Sequence, residues 1–295
     1  MNETETTHLD VYSIVTNRII ELLEKGVLPW KQPWTGAGSP MNAISKNVYR
    51  GINLLLLATL GYERNLFLTF KQIKDLNASV NRGESGHIVC FWKKTENERS
   101  DTEDLTDPAK RHRSILRYYK VFNVSQCSGL PAWLEREMIE QPIAPLRQCE
   151  LIVQGMPNPP LIVHKKAEAY YEPASDLINM PKLSKFKSAE SYHSVLFHEL
   201  IHSTGHTSRI NRKEVMETGL LGKESYSIEE LTAEIGASFL NALCGIENTV
   251  IEESVAYIAG WLNALKNDKR FIFQASGRAQ YAVDFILQET KVGAL

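Results

Sequence analysis

Residues Ser194–His206 read SVLFHELIHSTGH. Val195, Leu196, Leu200 and Ile201 supply the apolar face of a helix, and His198 and His202 stand four positions apart on it. Positions i and i+4 of a helix stack one above the other, so both imidazoles can reach one ion at about 2.0–2.1 Å. Glu199, next to the first histidine, is aimed at the open position of such an ion. There a carboxylate can take a proton from a metal-acidified water and hand it to a leaving amine. The spacing predicts a Zn2+ centre of the metallopeptidase type, with His198 and His202 as ligands and Glu199 as the catalytic base. Another divalent transition metal could serve in place of zinc. Short patterns of this kind also arise by chance. An amphipathic helix, Gly205 placed to end it and a later helix carrying paired acids weigh against chance here.

Spacing narrows the third ligand. A metzincin pattern needs a histidine at position 208, which is Ser208. His206 follows Gly205 and is turned away if the helix ends there, which leaves it a backup. The better source is SIEELTAEIGASFL (Ser227–Leu240), where Ser227 can cap a helix carrying Glu229, Glu230 and Glu234. Glu230 and Glu234 share a face. One can bind the metal while the other accepts the remaining N–H of a ligand histidine. Glu230 is the favoured ligand and Glu234 the outer partner; a helix phase shifted by one residue gives the ligand role to Glu229.

Composition bounds the rest. Of 295 residues, 43% are hydrophobic and 23% charged, as in a soluble globular protein, so disordered and fibrous classes are excluded. The longest apolar run, Ile52–Leu60, is far too short for a membrane span. Met1–Asp10 lacks the basic start and apolar core of an export signal, so a cytoplasmic protein without a membrane partner is expected. Four cysteines without a CxxC pair suggest buried free thiols. The net charge of −2 hides an asymmetry: residues 1–130 hold 17 Lys+Arg against 14 Asp+Glu, residues 131–295 hold 16 against 21. Six of the front-half acids lie between Glu96 and Asp107, in a stretch without periodicity.

Hydrophobic periodicity predicts helices over Asp10–Lys25, Asn53–Leu60 and Phe70–Asn77, and strands over His87–Lys94 and Arg117–Val124. Between the strands, residues 95–108 read as a hairpin insertion. Leu28–Pro40, rich in Pro and Gly, reads as a loop exposing Trp30 and Trp34. A short helix around Trp133–Glu140 and five prolines at 142, 145, 157, 159 and 160 mark residues 131–160 as a junction. Beyond it come strands at Leu161–His164, Ala169–Glu172 and Leu177–Met180. Helices follow at Ala189–Thr204, Ile228–Cys244, Val250–Lys266 and Phe273–Gln288. The expected class is α+β in two domains, residues 1–130 and 161–295.

The front half interleaves rings and cations: Trp30, Lys31, Trp34, Tyr49, Arg50, Phe91, Trp92, Lys93, Lys94, Arg117, Tyr118, Tyr119 and Lys120. Single-stranded nucleic acid is bound by that mixture, through stacking and phosphate neutralisation, without sequence preference. Taken singly, strand residues such as Phe91 and Phe122 are expected in the core.

PWKQPW (Pro29–Trp34), PMNAISKNVYRGIN (Pro40–Asn53), NRGESGHIVCFWKK (Asn81–Lys94) and YKVFNVSQCSGL (Tyr119–Leu130) resemble the N-terminal domain of ArdC-type antirestriction proteins. A related domain opens some plasmid primases. HELIHSTGH and EELTAEIGA resemble the zincin-like domain that follows in the same proteins. The resemblance spans nearly the whole chain. It implies an N-terminal domain that binds single-stranded DNA without specificity, a C-terminal metallopeptidase fold, and shielding of incoming plasmid DNA from the host restriction machinery. It carries metal and catalytic roles to His198, His202, Glu199 and the Glu229/Glu230 pair. Asn42, Tyr49, Arg50, Gly51 and Asn53 match the family's first block, with Lys46 inside it as a further DNA-contact candidate. Neither a peptide substrate nor a need for proteolysis follows. The alternative is a non-enzymatic DNA-binding protein with a structural or vestigial metal site.

Overall fold

The computed structural model describes residues 10–31, 38–94, 114–136, 145–216, 222–246 and 255–288. Trp34, the acidic insertion at 95–108 and the end of the expected 133–140 helix lie outside them. The first helix, α1 (Val11–Glu24), starts where the Asp10 side chain accepts the Ser13 N–H at 2.7 Å, and buries Val15, Ile19, Ile20 and Leu23. A 3-10 turn, Pro29–Lys31, follows. The chain then forms β1 (Met41–Asn42), α2 (Ile52–Ala58), β2 (Leu66–Thr69), α3 (Phe70–Asp75), β3 (Ser79–Val80), β4 (His87–Lys94), β5 (Ser114–Asn123) and β6 (Cys127–Ser128). One sheet runs in the order β1-β2-β5-β4, with β1 parallel to β2 and the rest antiparallel; β3 and β6 form a second, two-stranded piece. Strands β1, β2, β3 and β6 were not anticipated from sequence; three of them have two residues each, too few for apolar alternation to reveal.

The back half begins within the expected junction. Helices α4 (Ala132–Arg136) and α5 (Pro145–Gly155) occupy it, and α5 sends Cys149 and Ile152 into the core. The prolines misled because they bracket this helix: Pro145 takes its first position, where no N–H is needed, and Pro157 follows its end. Strands β7 (Leu161–Val163), β8 (Tyr170–Glu172) and β9 (Leu177–Asn179) make a sheet in the order β7-β9-β8, β7 parallel and β8 antiparallel to β9. Helices α6 (Ala189–Ser203), α7 (Lys213–Met216), α8 (Gly222–Cys244), α9 (Val255–Asn267) and α10 (Phe271–Ile286) complete the chain. Because α8 starts at Gly222, Ser227 lies inside it and is not its cap. No described helix is long and apolar enough to cross a membrane.

The molecule is α+β with two domains, but its largest core belongs to both. Val15, Ile19, Leu23, Trp30 and Leu54–Leu56 of the front half join Phe197, Leu200, Leu231, Phe239, Trp261 and Ile272 of the back half in one apolar cluster. Trp30 is fully buried, its ring set edge-on to Trp261 at 5.2 Å between centroids. That corrects the reading of Trp30 as an exposed base-stacking residue. Two smaller clusters sit within the front half alone, one around Leu66, Leu68 and Ile73, the other around Leu57, Phe67, Val89 and Val121. Arg50 pairs with Asp284 of α10, and the Gly51 N–H donates to Gln280 Oε1 at 2.9 Å. Gly51 has φ +54° and ψ −127°, a conformation open essentially only to glycine.

A core shared in this way predicts one cooperative unfolding transition. Trp30→Ala is expected to cost about 3–5 kcal/mol. Denaturation followed by far-ultraviolet circular dichroism should show the midpoint of the whole protein moving together, without a separate front-half phase.

Candidate metal centre

Helix α6 carries the two histidines into the interior. Ser188 caps its start, accepting the Ser191 N–H at 3.1 Å, and two arginines close its end. Arg209 Nε donates to Ser203 O at 2.7 Å and Arg212 Nη2 to Ile201 O at 2.7 Å, so cations satisfy carbonyls at the negative pole of the helix. Helix α8 crosses α6 at close range, where Gly236 faces Ile201. A Cβ built on Gly236 would lie 2.7 Å from Ile201 Cδ1 and 2.8 Å from Cγ1. Only glycine lets the helices approach this far.

The crossing brings the acids of α8 onto the imidazoles of α6. His198 Nε2 and His202 Nε2 face each other at 3.0 Å. Glu230 lies against both, with Oε2 3.7 Å from His198 Nε2 and Oε1 3.5 Å from His202 Nε2. Each remaining ring nitrogen meets its own carboxylate: His202 Nδ1 lies 3.1 Å from Glu229 Oε1, and His198 Nδ1 3.3 Å from Glu234 Oε1. A carboxylate beside Nδ1 favours the proton on that nitrogen and Nε2 as the ligand atom; Glu229 makes this hydrogen bond with His202, while Glu234 stands at ion-pair distance from His198. Both Nε2 atoms and the Glu230 carboxylate then converge as three ligand atoms. Such a set is complementary to a cation, whether a metal ion or a proton. Tetrahedral bonds of about 2.0–2.1 Å would place two nitrogens about 3.3 Å apart, close to the observed separation. Among the described residues, His198, His202 and Glu230 form a group with ligand atoms close enough to share one ion.

The surrounding charges match this. Burial disfavours a charged His198, yet the Glu230 and Glu234 carboxylates outweigh it and hold the imidazole well above the usual histidine range. Glu229 is almost fully buried, which by itself would raise its pKa. The Arg212 guanidinium and His202 reverse that and bring it below the ordinary value. Arg212 grips Glu229 with two hydrogen bonds, Nη2 to Oε1 at 2.7 Å and Nε to Oε2 at 2.9 Å. Glu234 is likewise drawn below its ordinary value against the effect of burial, by His198 and by Lys31. Glu199 is buried at the wall of an adjoining cavity of ≈ 290 Å3, which is also lined by His198, His202, Glu230, Tyr170 and Tyr171. His206 is elsewhere, hydrogen-bonded to Ser208 Oγ at 2.8 Å.

The structure places Glu230, rather than Glu229, within reach of both Nε2 atoms, and Glu234 beside His198 Nδ1. Arg212 and Lys31 were missed as parts of this centre. Nothing local marks Arg212, whereas a glycine within an otherwise strong helix pattern at 236 is a usable sign of close approach.

The front-half candidates fare differently. Lys31 is not a surface cation: its Nζ lies 3.6 Å from Glu234 Oε2, with 8% of its side chain exposed. Asn53 is committed to the free edge of β4, donating to Cys90 O at 2.7 Å and accepting the Cys90 N–H at 2.6 Å. Asn42 closes its own turn, accepting the N–H groups of Ile44 and Ser45, and exchanges hydrogen bonds with Gln72. Tyr49 is half-buried against the Phe67 cluster. Arg50, paired with Asp284, keeps 48% of its side chain exposed. Lys46 and Lys93 are exposed, and Trp92 is half-exposed against Tyr12. The Lys94 side chain lies outside what is described. Phe91, expected in the core, is 36% exposed and stands beside Tyr119 at 5.7 Å. Cross-strand pairing places Phe91, Lys93, Tyr119, Arg117 and Ile115 on one face of the β4–β5 hairpin, the face opposite Cys90 and Leu116, which point into the shared core.

Comparison with known proteins agrees with both halves. Residues 9–122 match the N-terminal domain of anti-restriction factor ArdC, and residues 158–278 match a zincin-like metallopeptidase family. The crystal structure of the metal-free antirestriction ArdC protein from plasmid R388 is 34% identical, with a TM-score of 0.78 over 95% of this chain and 97% of that one. The Mn(II)-bound structure of the same protein is 33% identical, with a TM-score of 0.76 over 95% and 98%. An uncharacterized protein of Sinorhizobium fredii, y4eC, is 34% identical over 97% of this chain and 94% of its own length. A DNA primase TraC of Escherichia coli is 34% identical over 92% of this chain, which spans only 26% of the primase.

The glycine contact gives a test of the crossing. Gly236→Ala is expected to lose about 1–3 kcal/mol through overpacking. The loss should shrink when Ile201 is cut back to Ala, measured as a double-mutant cycle on denaturation midpoints. Additive effects would mean that the helices do not meet there.

Proposed function

Because the chain belongs to the ArdC antirestriction family, we propose that it is a DNA-associated zincin, in which His198, His202 and Glu230 hold one divalent metal ion beside the general base Glu199. The observation that carries this reading is the convergence of ligand atoms from His198, His202 and Glu230, with Glu229 hydrogen-bonded behind His202 and Glu234 beside His198. When bound, the ion supplies Lewis acidity, which acidifies water and polarises a carbonyl. Zinc suits two imidazoles and one carboxylate, and Mn(II) is the ion of the related R388 structure. Glu199 takes the proton of the attacking water at its carboxylate and delivers it to the leaving amine nitrogen. Glu229 and Glu234 fix the histidine tautomers. The adjoining cavity favours a working centre over a closed structural one. Strand β8 lies at the edge of its sheet with Tyr170 and Tyr171 at the cavity, so an extended peptide could add to it by backbone pairing.

The same reading gives the front domain a DNA role. Beyond the buried Val89 and Val121, the exposed part of that face of the β4–β5 hairpin combines rings that stack on bases with cations that meet phosphates, which suits single strands of any sequence. In this role the protein coats incoming DNA in the cytoplasm and shields it from restriction.

Three experiments test these assignments. The intact protein should carry about one equivalent of metal, with His202→Ala and Glu230→Ala falling below half of the wild-type content and Glu229→Ala retaining more. Glu199→Gln should keep its metal and lose about 10^2- to 10^4-fold in hydrolysis of labelled casein. Hydrolysis unchanged in that variant would refute the peptidase chemistry, and loss of antirestriction without loss of hydrolysis would separate the two roles. For DNA, fluorescence anisotropy with a labelled oligonucleotide should show Phe91→Ala and Tyr119→Ala each weakening binding by about 1–3 kcal/mol. Lys93→Ala should reduce the salt slope by about 0.7. Binding that is insensitive to salt would sink the DNA assignment.

A further inference from the structure

The 3-10 turn Pro29–Lys31 belongs to the front half by sequence, yet both its large side chains are spent on the back half. Trp30 anchors the turn on Trp261 of α9, and Lys31 reaches α8. Lys31 Nζ lies 3.6 Å from Glu234 Oε2, while the other oxygen of that carboxylate, Oε1, lies 3.3 Å from His198 Nδ1. One carboxylate therefore bridges a cation from the DNA-type domain and an imidazole of the metal centre. All three groups are shielded, with 8%, 10% and 9% of the Lys31, Glu234 and His198 side chains exposed. In such surroundings an uncompensated carboxylate is costly, and Lys31 lies where its cation can hold the Glu234 carboxylate beside the His198 ring.

We propose that Lys31 is a positioning residue for the metal centre: acting through Glu234, it fixes the orientation of His198, so that the front domain completes the site of the back domain. The inference rests on the reading of His198 as a metal ligand. It assigns Lys31 no contact with substrate or ion. The backing of the two histidines is then symmetrical in chemistry and different in origin. Arg212, from the segment after α6, compensates the acid behind His202, and Lys31, from the far end of the chain, compensates the acid behind His198.

The test is metal affinity of the full-length protein, measured by chelator competition with Zn2+ and by the absorption spectrum of the Co2+ form. Lys31→Met should weaken Zn2+ binding about 10- to 100-fold and alter the Co2+ ligand-field bands, and Lys31→Arg should restore most of both. Because the effect passes through Glu234, Lys31→Met should change little in a Glu234→Gln background. Wild-type affinity and spectrum in a folded Lys31→Met protein would overturn the proposal, as would an equal loss in both backgrounds. Should Lys31→Met fail to fold, Lys31→Gln is measured with the same two readouts and the same two overturning results. A wild type that takes up no metal would remove the metal reading and this proposal together; normal uptake with an indifferent Lys31 removes this proposal alone.

Discussion

Two imidazole nitrogens and a carboxylate that converge across 3.0 to 3.7 Å are the constraint around which this molecule is arranged. Burial makes this cluster dependent on a positive charge at its centre. Two further buried carboxylates, Glu229 and Glu234, stand beside the outward nitrogens and are fixed there by packing. Each carboxylate would be expensive in an apolar interior without a cation. Arg212 and Lys31 meet that need, and the Arg212 guanidinium also satisfies the end of the helix that carries the histidines. The electrostatics of the centre and the termination of α6 are one structure.

Helix packing sets the scale. Where α6 and α8 cross, Ile201 occupies the space that a side chain at position 236 would need, so Gly236 supports the contact that sets the acids of α8 against the imidazoles. An interior glycine costs helix stability of about 1 kcal/mol relative to alanine. Close approach is what the sequence gains in exchange, and its benefit appears two turns away at Glu229 and Glu230.

Much of this was legible in the chain and some was not, for physical reasons. The i, i+4 histidines and the apolar face around them specify both a helix and a site, because one geometry governs both. The i, i+4 relation of Glu230 and Glu234 sets both on one side of α8, Glu230 against both imidazoles and Glu234 beside His198 alone. The prolines of the middle segment were taken as breakers when they are brackets, a distinction that depends on position relative to the helix start. Trp30 and Lys31 were misjudged together. A proline-rich neighbourhood argues for a loop, and a loop for exposure, but the burial of this turn is decided by Trp261 and Glu234, whose proximity no local pattern encodes. Phe91 erred in the opposite sense: strand alternation gives two faces without saying which is covered, and α1 covers the face of Cys90.

The single apolar interior built from both halves has a bearing on how such a protein can be inherited. If Trp30 and α1 fill a space on the back half that nothing else fills, neither half can be moved to another chain without leaving a wet hole behind. The two should therefore travel through gene rearrangement as one cassette. Their alignment as a continuous block inside the much longer TraC primase is what such indivisibility produces.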